Sequence, residues 1–423
     1  MCRDTNNQLP GDAQSATFKC MRTRDSSLAW VLAGGIAALA ISQGIGRFAY
    51  TPLLPYMQQA LRFGPDVAGY LAAANYAGYL IGALAAALVP PRAPRTAILR
   101  LNLIACIASV AAMGMTTSLW VWAALRAIAG ITSAFVLVLG SDFVFLKLAR
   151  IGRTSLKAVL FGGVGAGIAI AGLVVTLAVQ PWGWDGTWLA VGAVAAVLAP
   201  LCWVGLRPPG DPVADQHSSS PHPADHGPAS TSGGFPVSLL LAAYFCEGLG
   251  YIVTGTFLVA IVASMPDLAA YAPQTWIVAG LAGVLAAPLW SLLAGRVGLA
   301  GALVAGHLVQ AAGIVLPVLS HSLAAVLLSA LAFGGTFTSI SGLSLAFGGQ
   351  LMPKHSARLI GVLTASFGIG QVLGPIAAGE LAARHGDFDT ALVLAAAVVA
   401  FGAVLLIMGT IYAARRRHPA WAS

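Results

Sequence analysis

The sequence predicts an all-α membrane protein of about twelve transmembrane helices, arranged as two parallel six-helix repeats with both termini in the cytoplasm. Three observations carry that expectation: the composition, the length of the apolar blocks and the placement of Lys and Arg. Of 423 residues, 58% are hydrophobic and only 9% are charged. A water-soluble surface needs roughly a quarter of its residues charged. A chain this poor in charge hides most of its surface in lipid.

A hydrocarbon core of about 30 Å takes roughly 20 helical residues to cross. Apolar blocks of that size, divided by short polar or Pro/Gly breaks, run over 28–57, 66–89, 97–116, 119–147, 155–179 and 187–206, then 237–264, 274–296, 299–319, 322–350, 357–382 and 388–413. A spanning β-barrel shows segments of about ten residues with alternating polarity. The long Ala/Leu/Val/Gly runs here are helical instead.

Orientation follows from the basic residues, which are retained on the cytoplasmic side. Arg3, Lys19, Arg22 and Arg24 precede the first segment, Arg92, Arg95 and Arg100 lie between the second and third, and Lys147, Arg150, Arg153 and Lys157 between the fourth and fifth. Arg207 follows the sixth, Arg296 lies between the eighth and ninth, Lys354 and Arg358 between the tenth and eleventh, and Arg415, Arg416 and Arg417 end the last. Only Arg62 and Arg384 fall outside, and only Arg47 and Arg126 lie within segments. The net charge of +8 is this asymmetry, and it implies no nucleic-acid partner.

The chain divides into a cytoplasmic tail (1–27), a first six-helix bundle (28–206), a flexible cytoplasmic linker (207–236), a second bundle (237–414) and a basic tail (415–423). The segment after the N-terminal tail is too long for a removable signal peptide and lacks its small-residue cleavage pattern. Cys2, Cys20, Cys106, Cys202 and Cys246 have no paired spacing, so neither a disulfide framework nor a metal site is expected. His217, His222 and His226 sit in a Pro/Ser/Asp/Gly-rich stretch with the composition of a disordered linker rather than of a ligand set.

An offset of about 205 residues brings the two halves into register. Gly44-Ile45-Gly46 meets Gly248-Leu249-Gly250, Gly78 meets Gly283, Gly130 meets Gly335, Arg153 meets Arg358, and Gly163-Val164-Gly165 meets Gly368-Ile369-Gly370. Parallel repeats of this kind place a solute site near the bilayer midplane between the halves.

Specific motifs agree. The run Gln43-Gly44-Ile45-Gly46-Arg47-Phe48-Ala49-Tyr50-Thr51-Pro52-Leu53-Leu54-Pro55 and the run Glu247-Gly248-Leu249-Gly250-Tyr251-Ile252-Val253-Thr254-Gly255-Thr256-Phe257 resemble the two signatures of the YbfB/YjiJ-like group of the major facilitator superfamily. Arg126-Ala127-Ile128-Ala129-Gly130 is similar to the superfamily's Arg-x-x-x-Gly motif, whose Arg is linked in relatives to proton coupling. The resemblance covers nearly the whole chain and implies the major facilitator fold and secondary active transport. Two elements depart from the superfamily pattern. The Gly-x-x-x-Asp-Arg-x-Gly loop is eroded at Gly82, Ala86 and Pro90-Pro91-Arg92, and again at Gly295-Arg296-Val297-Gly298. The Gly-x-x-x-Gly-Pro element stands as Gly163-x-x-x-Gly167 without its Pro in the fifth segment, and in full as Gly370-Gln371-Val372-Leu373-Gly374-Pro375 in the eleventh.

Ionisable groups inside hydrocarbon default to a functional reading because insertion costs roughly 2.5–3.5 kcal/mol for Arg or Asp at a helix centre. Arg47, Arg126 and Glu247 qualify. Glu247 aligns with Gln43 across the repeat, one turn from Arg47, which invites either an ion pair with Arg47 or a role as the proton-linked group together with Arg126. Arg47 and Arg126 are alternatively guanidinium forks for an anionic solute group, and Arg126 alternatively bonds the main chain of a broken helix. Gln43, Arg47, Phe48, Tyr50, Asn75, Tyr79, Tyr251 and Gln371 are the expected solute-binding side chains, Asn75 and Tyr79 sharing one helix face. Ordinary interhelical hydrogen bonding serves equally well for each alone. Arg92, Arg95, Asp142 and Arg296 are expected at a cytoplasmic gate, with Asp142 pairing Arg92 or Arg95. Gly162 to Gly167 reads as close helix packing, and His307 and Glu380 as minor polar positions.

Catalysis has no constellation here: there is no His-Glu-x-x-His, no Cys cluster and no Ser/His/Asp grouping, and no nucleotide-binding domain. The expected function is secondary transport of a small organic solute across a bacterial cytoplasmic membrane, coupled to protons or alternatively sodium, by a monomer without cofactor or metal. Midplane charge of both signs suits an amphoteric or anionic metabolite, and the aromatic walls suit a hydrophobic drug. The alternative from another class is a sensor that binds a ligand without moving it.

Overall fold

The computed structural model describes residues 28–90, 92–153, 156–206 and 234–417. The expected N-terminal tail with its Arg3, Lys19, Arg22, Arg24, Cys2 and Cys20 lies outside the described residues. So do Arg207, His217, His222 and His226 of the linker and residues 418–423 of the basic tail.

Among the described residues, ten helices are long and apolar enough to cross a membrane. They are α1 (Leu28–Leu61), α2 (Pro65–Ala87), α3 (Arg95–Ala112), α4 (Leu119–Arg150), α5 (Lys157–Gly205), α6 (Val237–Ala263), α7 (Ala272–Leu319), α8 (Leu323–Leu351), α9 (Ser356–His385) and α10 (Asp389–Arg417). Start signals are local. Pro65 opens α2 after the extended Gly64, and the Ser322 hydroxyl caps α8 by accepting from the Ala325 amide at 3.3 Å. Large apolar side chains such as Trp120, Leu177, Val197 and Leu292 point outward, the surface of a protein whose solvent is lipid.

Two pairs of expected segments are not separated by loops. Residues 155–179 and 187–206 fall in the single element α5, and 274–296 and 299–319 in α7. Each element is interrupted at one glycine, Gly183 (φ 68°, ψ −180°) and Gly298 (φ 77°, ψ 165°), in a backbone region that only glycine enters readily. A straight helix would hold Gly163 and Gly205 about 60 Å apart, yet both pack on α1, Gly163 against Ile36 and Gly205 against Trp30 and Gly34. The chain therefore doubles back at Gly183. The same reasoning applies to α7, where a Cβ on Gly306 would stand 3.7 Å from the Trp290 ring, against about 24 Å along a straight helix.

Glycines set how closely helices approach. A side chain at Gly130 would strike the Asn75 carbonyl, and one at Gly334 would strike the Ala279 carbonyl. Thr51 Oγ1 donates to the Gly255 carbonyl at 2.6 Å across a separation of 204 residues. The Gly130–Asn75 and Gly334–Ala279 contacts are related by that same offset. Gly163, Gly165 and Gly167 face the main chain of Ile36, Gly280 to Val284, and Ala40, so this stretch is close helix packing as the sequence implied. Helices before residue 207 meet those after 233 along α2 with α9, where Gly69 faces Pro375 and Gly379 faces Pro65, and along α5 with α7, where Gly172 faces Pro273 and Ile277.

Candidate functional site

Where α1 crosses the core it relaxes into a π-helical turn over Ala40–Ile45, a rare geometry frequent at functional sites. Gln43 lies in that turn. Its Nε2 donates to the Ser133 carbonyl at 2.8 Å, and its Oε1 accepts from Arg47 Nη1 at 3.1 Å. Gly44 and Gly46 keep the adjoining faces bare, Gly44 against Gly167 and Gly46 against the Cys106 sulfur. Arg47 is 6% exposed. Its guanidinium lies 3.9 Å from the Tyr79 ring centre, with Tyr76 and Phe48 at 5.4 and 5.3 Å. Its Nε and Nη2 have no hydrogen-bond partner.

Arg126 is buried too, but each of its three nitrogens has an acceptor. Nη1 and Nη2 each donate to the Arg47 carbonyl at 3.3 Å, Nε reaches the Leu71 carbonyl at 3.5 Å, and the group lies 4.5 Å from the Tyr50 ring centre. Asn75 Nδ2 donates to the carbonyl of Arg126 itself at 2.8 Å. Of the alternatives open in the sequence, this contact set is the main-chain one.

Glu247 on α6 is wholly buried. Its Oε1 accepts from Gln310 Nε2 at 2.9 Å, and Gln310 Oε1 in turn accepts from Thr336 Oγ1 at 2.5 Å. Oε2 has no hydrogen-bond partner and faces His307 Nε2 at 3.8 Å. His307 Nδ1 stands 2.8 Å from the Leu303 carbonyl, an acceptor only, which places the hydrogen of a neutral ring on Nδ1 and leaves Nε2 a lone pair. Two lone-pair atoms thus face each other in an apolar core, and one added proton satisfies both. The pairing of Arg47 with Glu247, one of the alternatives open in the sequence, is not formed: no ion pair joins them among the described residues, and the side chains that face Glu247, Gln310 and His307, both come from α7. Sequence reasoning missed Gln310 and Thr336 and underrated His307. The available signal was His307 and Gln310 at three-residue spacing inside an apolar segment, hence on one face.

Aromatic rings adjoin Arg47. Tyr251, Phe333 and Phe337 lie nearly parallel, with interplanar angles of 11°, 10° and 1° and centroids 4.9–6.2 Å apart, and Phe367 stacks on Tyr251 at 5.5 Å. Phe48 meets Phe337 edge-on at 5.7 Å. Gln371 Nε2 donates to the Tyr251 hydroxyl, while Gln371 Oε1 is buried without a partner.

Comparison with known proteins decides the family. The model of the family described as "Uncharacterised MFS-type transporter YbfB" matches residues 39–407. The chain belongs to that family. It is accordingly a multi-pass membrane transporter for a small-molecule substrate. No curated protein sequence matches the chain significantly. Among solved structures, the nucleoside transporter NupG is similar in fold. A point variant of it superposes with a TM-score of 0.71 at 15% identity, covering 89% of this chain and 99% of that one. A second NupG structure gives 0.68 at 15% identity, covering 90% and 98%.

The remaining expected site residues of this transporter are spread more widely. Tyr50 donates to the Ala68 carbonyl at 3.2 Å, which ties α1 to α2. Asp142 pairs with Arg95 at 3.7 Å, both partly exposed. Arg92 and Arg296 are exposed and make no ion pair among the described residues. Glu380 accepts from the Tyr70 hydroxyl at 3.0 Å, a polar link between α2 and α9. Among the described residues no group of three His, Cys, Asp or Glu side chains is placed to hold a metal.

Proposed function

We propose that this protein is a proton-coupled secondary transporter that carries a small organic solute across a bacterial cytoplasmic membrane by alternating access, as a monomer. Glu247 is its proton-carrying group and Arg47 belongs to its solute site. The observation that carries the reading is the unpartnered Oε2 of the buried Glu247, opposed to His307 Nε2. A carboxylate left half-satisfied in a low-dielectric core is held ready to take a proton, and Tyr251 of the ring cluster is one helical turn along α6, so proton and solute act on one helix.

The architecture of this reading has twelve membrane crossings, the two long helices counting twice because they reverse at Gly183 and Gly298. The crossings form two parallel repeats, residues 28–206 and 237–414, joined by a cytoplasmic linker. The paired Gly130–Asn75 and Gly334–Ala279 contacts support the repeat, and the Lys/Arg distribution supports cytoplasmic termini. Contacts of α2 with α9 and of α5 with α7 are the surfaces on which the bundles rock. The Arg95–Asp142 pair, with Arg92 three residues before Arg95 and with the exposed Arg296 beside the Gly298 reversal of α7, forms the cytoplasmic gate. Nucleosides, by which the structural relative is named, do not carry over at 15% identity. An uncharged solute would also leave the free edge of Arg47 without an anion.

Uptake into proteoliposomes under an imposed pH gradient tests the reading, with a panel of labelled organic anions, zwitterions, cations and neutral solutes. We expect accumulation of at least one solute that a protonophore abolishes and that a sodium gradient does not restore. Glu247→Gln is expected to keep solute exchange at equal concentrations while losing accumulation. Accumulation by Glu247→Gln equal to that of the native protein contradicts the coupling role, and binding without movement supports a sensor instead.

A further inference from the structure

We propose that the solute taken at Arg47 is a planar aromatic monocarboxylate. This rests on the transport reading above and names the chemistry of its solute site.

The argument begins with which nitrogens of Arg47 are free. Nη1 is held by Gln43 Oε1, and the flat face of the guanidinium is covered by Tyr79. The vacant donors are Nε and Nη2, both buried. Their two N–H bonds run parallel along one edge of the guanidinium, the edge on which a carboxylate docks with two hydrogen bonds at once. No carboxylate of the chain lies within ion-pair distance of Arg47 among the described residues. A guanidinium 6% exposed, fixed in orientation and lacking only the partner for its side-on fork, is a carboxylate site awaiting its anion.

One anionic charge is all that this site balances. Arg126, the other buried cation of α1 to α4, has its three donor nitrogens on main-chain carbonyls, so a phosphate dianion would find one free guanidinium. The rest of the solute meets rings. Phe48, next to Arg47, touches Phe337, which continues through the near-parallel Tyr251 and Phe333. Phe367 stacks on both Tyr251 and Tyr244, which extends the ring surface. Flat apolar faces beside a cation favour a delocalised planar ring over a saturated chain of equal size. The unpartnered Gln371 Oε1 beside the Tyr251 hydroxyl adds an acceptor for a donor substituent on that ring.

The test is binding to the full-length purified protein in detergent, read by calorimetry. The probes are benzoate, 4-hydroxybenzoate, cyclohexanecarboxylate (charge without a flat ring) and benzamide (ring without charge). We expect benzoate and 4-hydroxybenzoate to bind at least about 10-fold more tightly than either control, the size of one charge-assisted hydrogen bond or more. Arg47→Gln should abolish benzoate binding, and Arg47→Lys, which keeps the charge but not the fork, should weaken it by about 10-fold with the protein still folded. Phe337→Leu should erase the preference for benzoate over cyclohexanecarboxylate. Equal binding of benzamide, absence of benzoate binding, or an unchanged affinity in folded Arg47→Lys overturns the proposal. Proton-driven uptake of a solute that is not a carboxylate overturns the solute class while leaving transport intact. Benzoate binding without uptake leaves the class standing and overturns transport.

Discussion

Arg126 and Glu247 are buried to the same degree on opposite sides of the chain, yet their surroundings differ in kind. Arg126 spends its three donor nitrogens on the carbonyls of Arg47 and Leu71, so fixed main-chain dipoles hold its charge and tie α4 to α1 and α2. Glu247 has one oxygen bonded through Gln310 to Thr336 and the other without a hydrogen bond, across from a histidine nitrogen. Burial alone does not tell a structural charge from a working one. What differs is the partners: each nitrogen of Arg126 has an acceptor, whereas Glu247 Oε2 has no donor.

The glycine contacts are common to both regions, and breaking them should have the largest effect. Gly334→Leu puts a side chain into the Ala279 carbonyl, as a substitution at Gly130 does into that of Asn75. Either change should eliminate monodisperse protein on size exclusion, and normal yield of both variants would remove the claim that these contacts frame the two regions alike. Next in size is Arg126→Leu, which removes the second hydrogen bonds accepted by the Arg47 and Leu71 carbonyls. At about 1.5–3 kcal/mol for a hydrogen bond to a charged group, the expected result is a melting temperature lower by several degrees, with binding and transport lost together. A variant that loses coupling at unchanged stability would move Arg126 into the same category as Glu247. The smallest effect belongs to Asp142→Asn. The Arg95–Asp142 pair is partly exposed and separated by 3.7 Å, so its stability should change by less than about 1 kcal/mol. A change in the rate of uptake measured at low salt, fading at high salt, would mark the pair as a gate contact.

Much of this arrangement was legible in the sequence, and the reasons for the exceptions are physical. Arg47, Arg126 and Glu247 stood out because an apolar helix makes each charge costly. Which groups satisfy them did not, since Gln310 reaches Glu247 from α7 and is itself bonded by Thr336 of α8, and neither spacing nor composition encodes that meeting. The Arg47–Glu247 ion pair that the repeat alignment left open is absent: Arg47 bonds Gln43, and Glu247 faces Gln310 and His307. Across the proposed repeat one position is out of register. Gly130 had been matched with Gly335, whereas Gly334 makes the close contact and Gly335 borders open space. Turns at Gly183 and Gly298 were legible as breaks, but not as reversals accomplished by a single glycine.

Infrared difference spectroscopy of the purified protein through a pH titration, native against Glu247→Gln, tests the central claim most directly and needs no knowledge of the solute. A protonated-carboxyl stretch with the weak hydrogen bonding of a buried acid should titrate in the native protein and be missing from the variant. Titration spectra that coincide for the two proteins would mean that Glu247 keeps one protonation state throughout, and would contradict its role as the proton carrier.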